Sequence, residues 1–220
     1  MPPALPCARP ARRVLEGRYA RLEPLAAAHA PALFEASAAP GAERRFAYLF
    51  DLPPATLADM TDWIAKMGAG DDPLFSAVID KASGRAAGRQ ALMRIVPEHG
   101  VIEVGHILWG PSIARGRVAT EALYLAARHV FDDLGYRRFE WKCNNLNEPS
   151  KAVALRFGFS FEGLFRQHMW GKGANRDTAW FSMLDKEWPA YKQEYDRWLD
   201  PANFDANGGQ KSKLSVRRSS

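Results

Sequence analysis

The stretch Val101–Phe159 constrains this chain more than any other. Val101–Trp109 is apolar and rich in strand formers, and Gly110 and Pro111 stop it. Apolar residues then recur at helical spacing from Val118 to Leu134 (Ala119, Ala122, Leu123, Ala126, Val130), with Gly135 where a helix-ending glycine belongs. Arg137–Cys143 alternates, with Phe139, Trp141 and Cys143 on one face and Arg138, Glu140 and Lys142 on the other. A strand, a helix and a strand of this length imply two parallel strands joined by a right-handed crossover. Ligands of such units bind beyond the carboxyl ends of the strands, so Trp109–Arg117 and Cys143–Ser150 are expected to flank a site.

The rest of the chain builds outward from this unit. Tyr19–Leu25 reads as a first strand, and Ala26–Ala38 as a helix beginning near His29 with Pro31 in its first turn. Thr56–Met67 has a Thr N-cap before acids and an amphipathic pattern. Leu74–Asp80 and Ala86–Val96 flank the turn KASGR and lead into the strand at Val101, an antiparallel meander. Phe161–Trp170 and Arg176–Leu184 form a second hairpin, and Lys186–Leu199 is helical with Pro189 near its start. Phe46–Leu52, inside an aromatic stretch without a clear period, is either core or the surface of a homodimer. The fold class is α/β, with a mixed six- or seven-stranded sheet and helices on both faces.

Charge bounds the partners. The 220 residues carry a formal +5. Residues 1–13 contribute +3 and residues 203–220 another +3, which leaves the segment between them at −1. A nucleic-acid binder needs a basic face on the fold itself, so the tails argue weakly for that partner. The expected organisation is a disordered leader at 1–13, a single domain at 14–200 and a disordered basic tail at 201–220. Cys7 and Cys143 make no disulfide framework or metal motif, so no metal is expected. The sequence has no continuous apolar run for a signal peptide or a membrane span, and a cytoplasmic protein is expected.

Two segments of the central stretch can carry chemistry. Arg115, Gly116 and Arg117 open the long helix, where exposed N–H groups and the positive dipole end favour an anion. Asn147 is a natural N-cap for a short helix with Pro149 in its first turn, and Ser150 faces back toward the strand ends.

In order and spacing, the RGRVATEA helix start, the LGYRR strand, NEPS and the ALRFGF helix end resemble the acetyl-CoA-binding core of the GNAT N-acetyltransferases. EPSKAVALRFGFSFEG and NRDTAWFSML resemble the branch of the ribosomal-protein alanine N-acetyltransferases. The resemblance implies the GNAT (acyl-CoA N-acyltransferase) fold and transfer of an acetyl group from acetyl-CoA directly to a primary amine. The acceptor would be a protein N-terminus or a small aminoacyl-type molecule.

It also implies residue roles. The turn Ala114, Arg115, Gly116, Arg117, Val118 and Ala119 would cradle the CoA pyrophosphate. Ile107, Leu108 and Trp109 would run beside the pantetheine arm, and Asn147 would hydrogen-bond it. Ser150 would be the catalytic acid, and Glu103 a catalytic carboxylate acting on the amine through water. His106, His168 and Trp170 are candidates for substrate contact, with Lys172, Arg176 and Asp177 available to an acceptor's charged end. Strand alternation puts His106 on the face opposite Glu103.

The chain departs from the family pattern at three positions. Arg117 stands at the usual glycine of the cradle, Ala154 at a frequent Tyr acid, and Met169 at an occasional Glu base. These departures keep open an alternative: a non-catalytic module of the same fold that binds CoA or an acyl-CoA.

Overall fold

The computed structural model describes residues 4–216. One eight-stranded sheet organises it: β1 (Leu15–Glu16), β2 (Ala20–Pro24), β3 (Leu74–Asp80), β4 (Arg85–Val96), β5 (Val101–Trp109), β6 (Arg138–Asn144), β7 (Ser160–Gly171) and β8 (Ala174–Leu184). Their order is β1-β2-β3-β4-β5-β6-β8-β7, and every neighbouring pair is antiparallel except β5–β6. The expected mixed sheet with one crossover is present, with one strand more than the six or seven anticipated. The extra strand, β1, is two residues long, too short for any periodicity to betray it. A buried carboxylate anchors the turn after it: Glu121 accepts the N–H groups of Arg18, Tyr19 and Ala20 at 2.8, 2.5 and 2.6 Å.

Helices cover both faces. On one face lie α1 (Ala30–Ala38) and α3 (Leu57–Ala69), over a cluster containing Leu33, Ile64 and Phe75. Between them in sequence, α2 (Ala42–Phe46) buries Phe46, while Phe50 and Leu52 of the same aromatic stretch are exposed. Thr56 and Asp59 close a reciprocal capping box at the start of α3. On the other face α4 (Arg117–Arg128) and α6 (Trp188–Leu199) pack over Val104, Phe139 and Phe181. The crossover helix stops earlier than its apolar spacing suggests: after Arg128 the chain makes one π-helical turn, His129–Asp133. His129 Nδ1 meets Asp133 Oδ2 at 2.7 Å across this turn, and Trp188 Nε1 holds Asp132 from α6 at 2.6 Å. Gly135 then takes a positive φ of 68°. The short helix α5 (Glu148–Arg156) begins where Asn147 Oδ1 accepts the Ser150 N–H at 3.2 Å.

The ends differ from expectation where they are described. Cys7 is 7% exposed, and its Sγ donates to the Gly135 carbonyl at 3.3 Å. Phe204 and Leu214 are buried, and Gln210 Oε1 accepts the Trp198 Nε1–H at 2.9 Å. Both segments therefore pack on the domain instead of trailing from it. A proline-rich leader and a Gly-, Ser- and Lys-rich tail conceal this because the anchors are single side chains. Arg217 and Arg218 of the basic tail lie outside the described residues.

Candidate active site

β5 and β6 part company halfway. Their parallel pairing runs from Val101↔Arg138 to Val104↔Trp141 and goes no further. Past that point the β5 edge from Gly105 to Trp109 has no partner on β6, and such an edge is a template for an extended ligand. A cleft of about 620 Å³ opens in the gap and reaches both faces of the sheet.

A β-bulge aims the side chains of β5. Arg89 pairs with Leu108 and Ala91 with Gly105, so β5 spends three steps where β4 spends two, and His106 sits at a φ of 50°. The extra residue reverses the alternation. Ile102 and Val104 face the α4 core, as do Ile107 and Trp109 beyond the bulge. His106 turns to the other face and lies 5.0 Å from the Phe75 ring, in the α1/α3 cluster. The expectation that His106 and Glu103 point to opposite faces is therefore wrong. Strand alternation holds only for an unbroken register, and both residues line the same side of the cleft.

That side is rich in paired charge. Glu103 is 3% exposed, and its Oε2 meets Arg94 Nη1 at 2.7 Å and Lys142 Nζ at 2.9 Å. Lys142 also reaches Glu140 at 2.7 Å and lies over the Trp180 ring at 3.8 Å. Arg89, buried on Trp63, binds Asp51 at 2.6 Å. Burial and the charge of Arg89 push the His106 pKa below its ordinary value, against the opposing pull of Asp51. His106 is thus neutral at pH 7.

The α4/α5 side has a different character. Trp141 Nε1 donates to Ser150 Oγ at 3.0 Å. An indole can only donate, so the Ser150 hydroxyl keeps its own proton to give. Burial pushes the nearby Cys143 thiol up, with a hydrogen bond to Ser150 opposing. Asn147 uses its carbonyl oxygen on the helix cap, which leaves its amide N–H groups for a ligand.

The cradle lies beyond. Tight turns, Ala114 N to the Gly110 carbonyl at 3.0 Å and Gly116 N to the Ile113 carbonyl at 3.0 Å, lead into α4 with Arg115 at a φ of 64°. The first-turn N–H groups of Arg117, Val118 and Ala119 have no carbonyl to reach within the helix. Arg117 does not cover them: its guanidinium lies over the rings of Tyr19 at 4.4 Å and Phe204 at 5.3 Å.

Most of the sequence candidates converge. Ser150, Glu103 and His106 line the cleft together with Ile107, Leu108 and Trp109. Ala114, Arg115, Gly116, Ala119 and Asn147 line it as well. Arg117 and Val118 are not among its walls, and Val118 packs toward the core. His168 and Trp170 also stand apart. A second bulge, with Gln167 at a φ of 50°, takes up four steps of β7 against two of β8. His168 then bonds Thr178 Oγ1 at 3.0 Å, and Trp170 is 73% exposed at the hairpin. Lys142, Arg94 and Arg176 are cleft residues that sequence reasoning placed nowhere or only loosely. The available signal was three charges, Arg138, Glu140 and Lys142, on one face of a central strand, where burial demands partners. Among the described residues, no group of three or more His, Cys, Asp or Glu is placed to hold a metal ion, and no helix is long and apolar enough to cross a membrane.

The family model of the acetyltransferase (GNAT) domain matches residues 20–160, the span that holds the splayed strands, the cradle and α5. The chain belongs to the GNAT acetyltransferases. The crystal structure of a GCN5-related N-acetyltransferase from Brucella melitensis is 60% identical, covers 96% of both chains and superposes with a TM-score of 0.94. An uncharacterized N-acetyltransferase, p20, of Bacillus licheniformis is 29% identical over 116 residues, 51% of this chain. The match spans 62% of that relative's length. A ribosomal L7/L12 alpha-N-protein acetyltransferase, RimL, is 19% identical over 78% of this chain and 94% of its own, with a TM-score of 0.67, and shares the fold alone. Within this GNAT domain Ala154, at the position of the frequent Tyr, is fully buried and is not a wall of the cleft.

Proposed function

We propose that the protein transfers the acetyl group of acetyl-CoA directly to a primary amine. One observation carries this reading: the cleft between β5 and β6 joins a face bearing a hydroxyl donor, Ser150, to a face bearing proton acceptors, Glu103 and His106. Acetyl-CoA enters from the α4/α5 side as co-substrate. Its pyrophosphate meets the N–H groups at the start of α4, and its pantetheine arm lies along the free edge of β5 with Asn147 donating to it.

The amine enters from the other side. Glu103, its Oε2 held by Arg94 and Lys142, offers its remaining oxygen as a hydrogen-bond acceptor for the amine, and His106, kept neutral by burial and Arg89, takes the ammonium proton directly or through one water. The freed nitrogen attacks the thioester carbonyl. The C–N bond forms and the C–S bond breaks; Ser150 gives its proton to the departing sulfur and regains one from the acylated nitrogen through water, so the second amine proton ends on CoA. No covalent intermediate with the chain is required. The acceptor is an amine of a protein N-terminus or of a small aminoacyl-type molecule, and the protein acts in the cytoplasm without a membrane partner.

Calorimetry with acetyl-CoA, followed by CoA release across a panel of amines, tests this reading. Binding together with amine-dependent release is expected. No binding at millimolar acetyl-CoA contradicts it, and binding with no release on any amine instead supports a non-catalytic CoA-binding module.

A further inference from the structure

Three charged side chains near the β7–β8 turn are candidates for an acceptor's charged end, and the structure commits two of them elsewhere. Lys172 Nζ donates to the carbonyls of Phe46 at 2.8 Å and Asp51 at 2.9 Å, pinning the hairpin to the segment after α2. Asp177 Oδ1 accepts from the Gln167 N–H at 2.7 Å and from Asn175 Nδ2 at 2.8 Å, which fixes the β7 bulge.

Arg176 is different. It lines the cleft, its guanidinium lies 5.0 Å from the Phe50 ring, and its Nε is buried without a hydrogen-bond partner. No ion pair engages it among the described residues. β8 alternation sets it on the face opposite Ala179 and Phe181, which belong to the α4 core, and so on the side of Glu103 and His106.

The other charges around it are balanced. Arg94, Lys142 and Arg138 pair with Glu103, Glu140 and Glu162 in one chain of contacts, three cations to three anions. Arg89 and Asp51 compensate each other. Arg45 also reaches the cleft wall, but its Nη atoms donate to the carbonyls of Ser37, Ala39 and Pro40 at the carboxyl end of α1. Among the described residues on the amine side of the cleft, Arg176 is thus the guanidinium with neither an ion pair nor a hydrogen bond, and burial lowers its pKa as expected for a cation short of solvent and counter-charge.

We propose that the acceptor carries a carboxylate close to the amine that is acetylated, and that Arg176 binds this carboxylate while the amine lies toward Glu103 and His106. A planar guanidinium suits a carboxylate in two parallel hydrogen bonds, and its single charge matches a single carboxylate. The inference rests on the acetyl-transfer reading for its chemistry, though not for its binding. Two sources supply such a group: the α-carboxylate of a free amino acid, or an acidic second residue at a peptide N-terminus.

Matched pairs test it. One arm compares free amino acids with their α-amides. The other compares C-terminally amidated Ser-Asp-Gly with Ser-Asn-Gly, and Ala-Glu-Gly with Ala-Gln-Gly. In at least one arm the wild type is expected to prefer the carboxylate member by about tenfold or more in kcat/KM. The preferred arm names the source. Arg176→Gln removes the preference with acetyl-CoA affinity unchanged, and Arg176→Lys restores part of it. Calorimetry of the same probes on the CoA-loaded protein gives a readout that needs no turnover. Arg176-dependent binding of the carboxylate member without acetylation refutes the transfer reading and upholds this one. Equal use and equal binding of carboxylate and amide in both arms, or a preference that survives Arg176→Gln, overturns it.

Discussion

Ser150 and His106 divide the proton traffic in this account, and their substitution should have different signatures. Ser150→Ala removes a donor that is needed only as the sulfur departs. We expect kcat to fall by about 10²-fold with acetyl-CoA affinity unchanged by calorimetry. Unchanged turnover would remove its role as acid. His106 titrates below its ordinary 6.5. The wild-type kcat/KM should therefore hold as pH falls through 6.5 and drop only below it. His106→Gln should flatten that limb at a lower rate, and a limb that persists would remove His106 as the base. The same shift bears on stability. The unfolded chain binds the proton more tightly than the folded one, so this group's contribution is present above 6.5 and is lost as pH falls through the folded value. Ser150 was legible because its position depends on a local motif, a capped short helix after a strand. The orientation of His106 was not. One extra residue in β5, opposite Arg89–Ala91 of β4, reverses every side chain after Gly105, and a bulge leaves no periodic trace in a single sequence.

At the scale of elements, α4 is the informative case. Its apolar spacing was plain, and so was the polar start that faces the cleft. Hidden from the sequence was the reason an arginine can stand where the resemblance implies a glycine. Arg117 leaves the first-turn N–H groups uncovered because it stacks on Tyr19 and Phe204, from segments about a hundred residues away on either side. Arg117→Gly should accordingly leave acetyl-CoA affinity within about twofold. It should lower stability by about 1 kcal/mol through the lost stacking and the weaker helix start. Calorimetry and urea unfolding measure the two effects, and a tenfold change in affinity would mean that the guanidinium reaches the phosphates. The second bulge, in β7, has the same lesson for His168 and Trp170. Their spacing put them near the acceptor, but Gln167 at a φ of 50° and the Asp177 cap shift the register and leave them outside the cleft.

At the scale of the whole molecule, the crossover, the meander and the second hairpin were readable because each repeats a period over at least seven residues. The packed ends were not, since they attach through isolated anchors such as Cys7, Phe204 and Leu214. Deleting residues 203–220 uncovers Tyr19, Arg117 and Trp198. Burial of two large apolar side chains stabilises by about 3–6 kcal/mol, so the truncated chain should melt lower by about 5 °C or more. An unchanged melting temperature would restore the view of that segment as a free tail.

The catalytic and ligand-binding outcomes depend on a cleft that passes through the sheet, with cofactor and amine meeting from opposite faces. A crystal structure of the protein soaked with CoA tests this most directly. The account predicts the pyrophosphate on the N–H groups of residues 115–119, the pantetheine arm paired along Gly105–Trp109, and the sulfur beside Ser150 with Glu103 and His106 across the gap. A CoA molecule bound off the β5 edge, or with its sulfur on the far side of the sheet from Ser150, would contradict it.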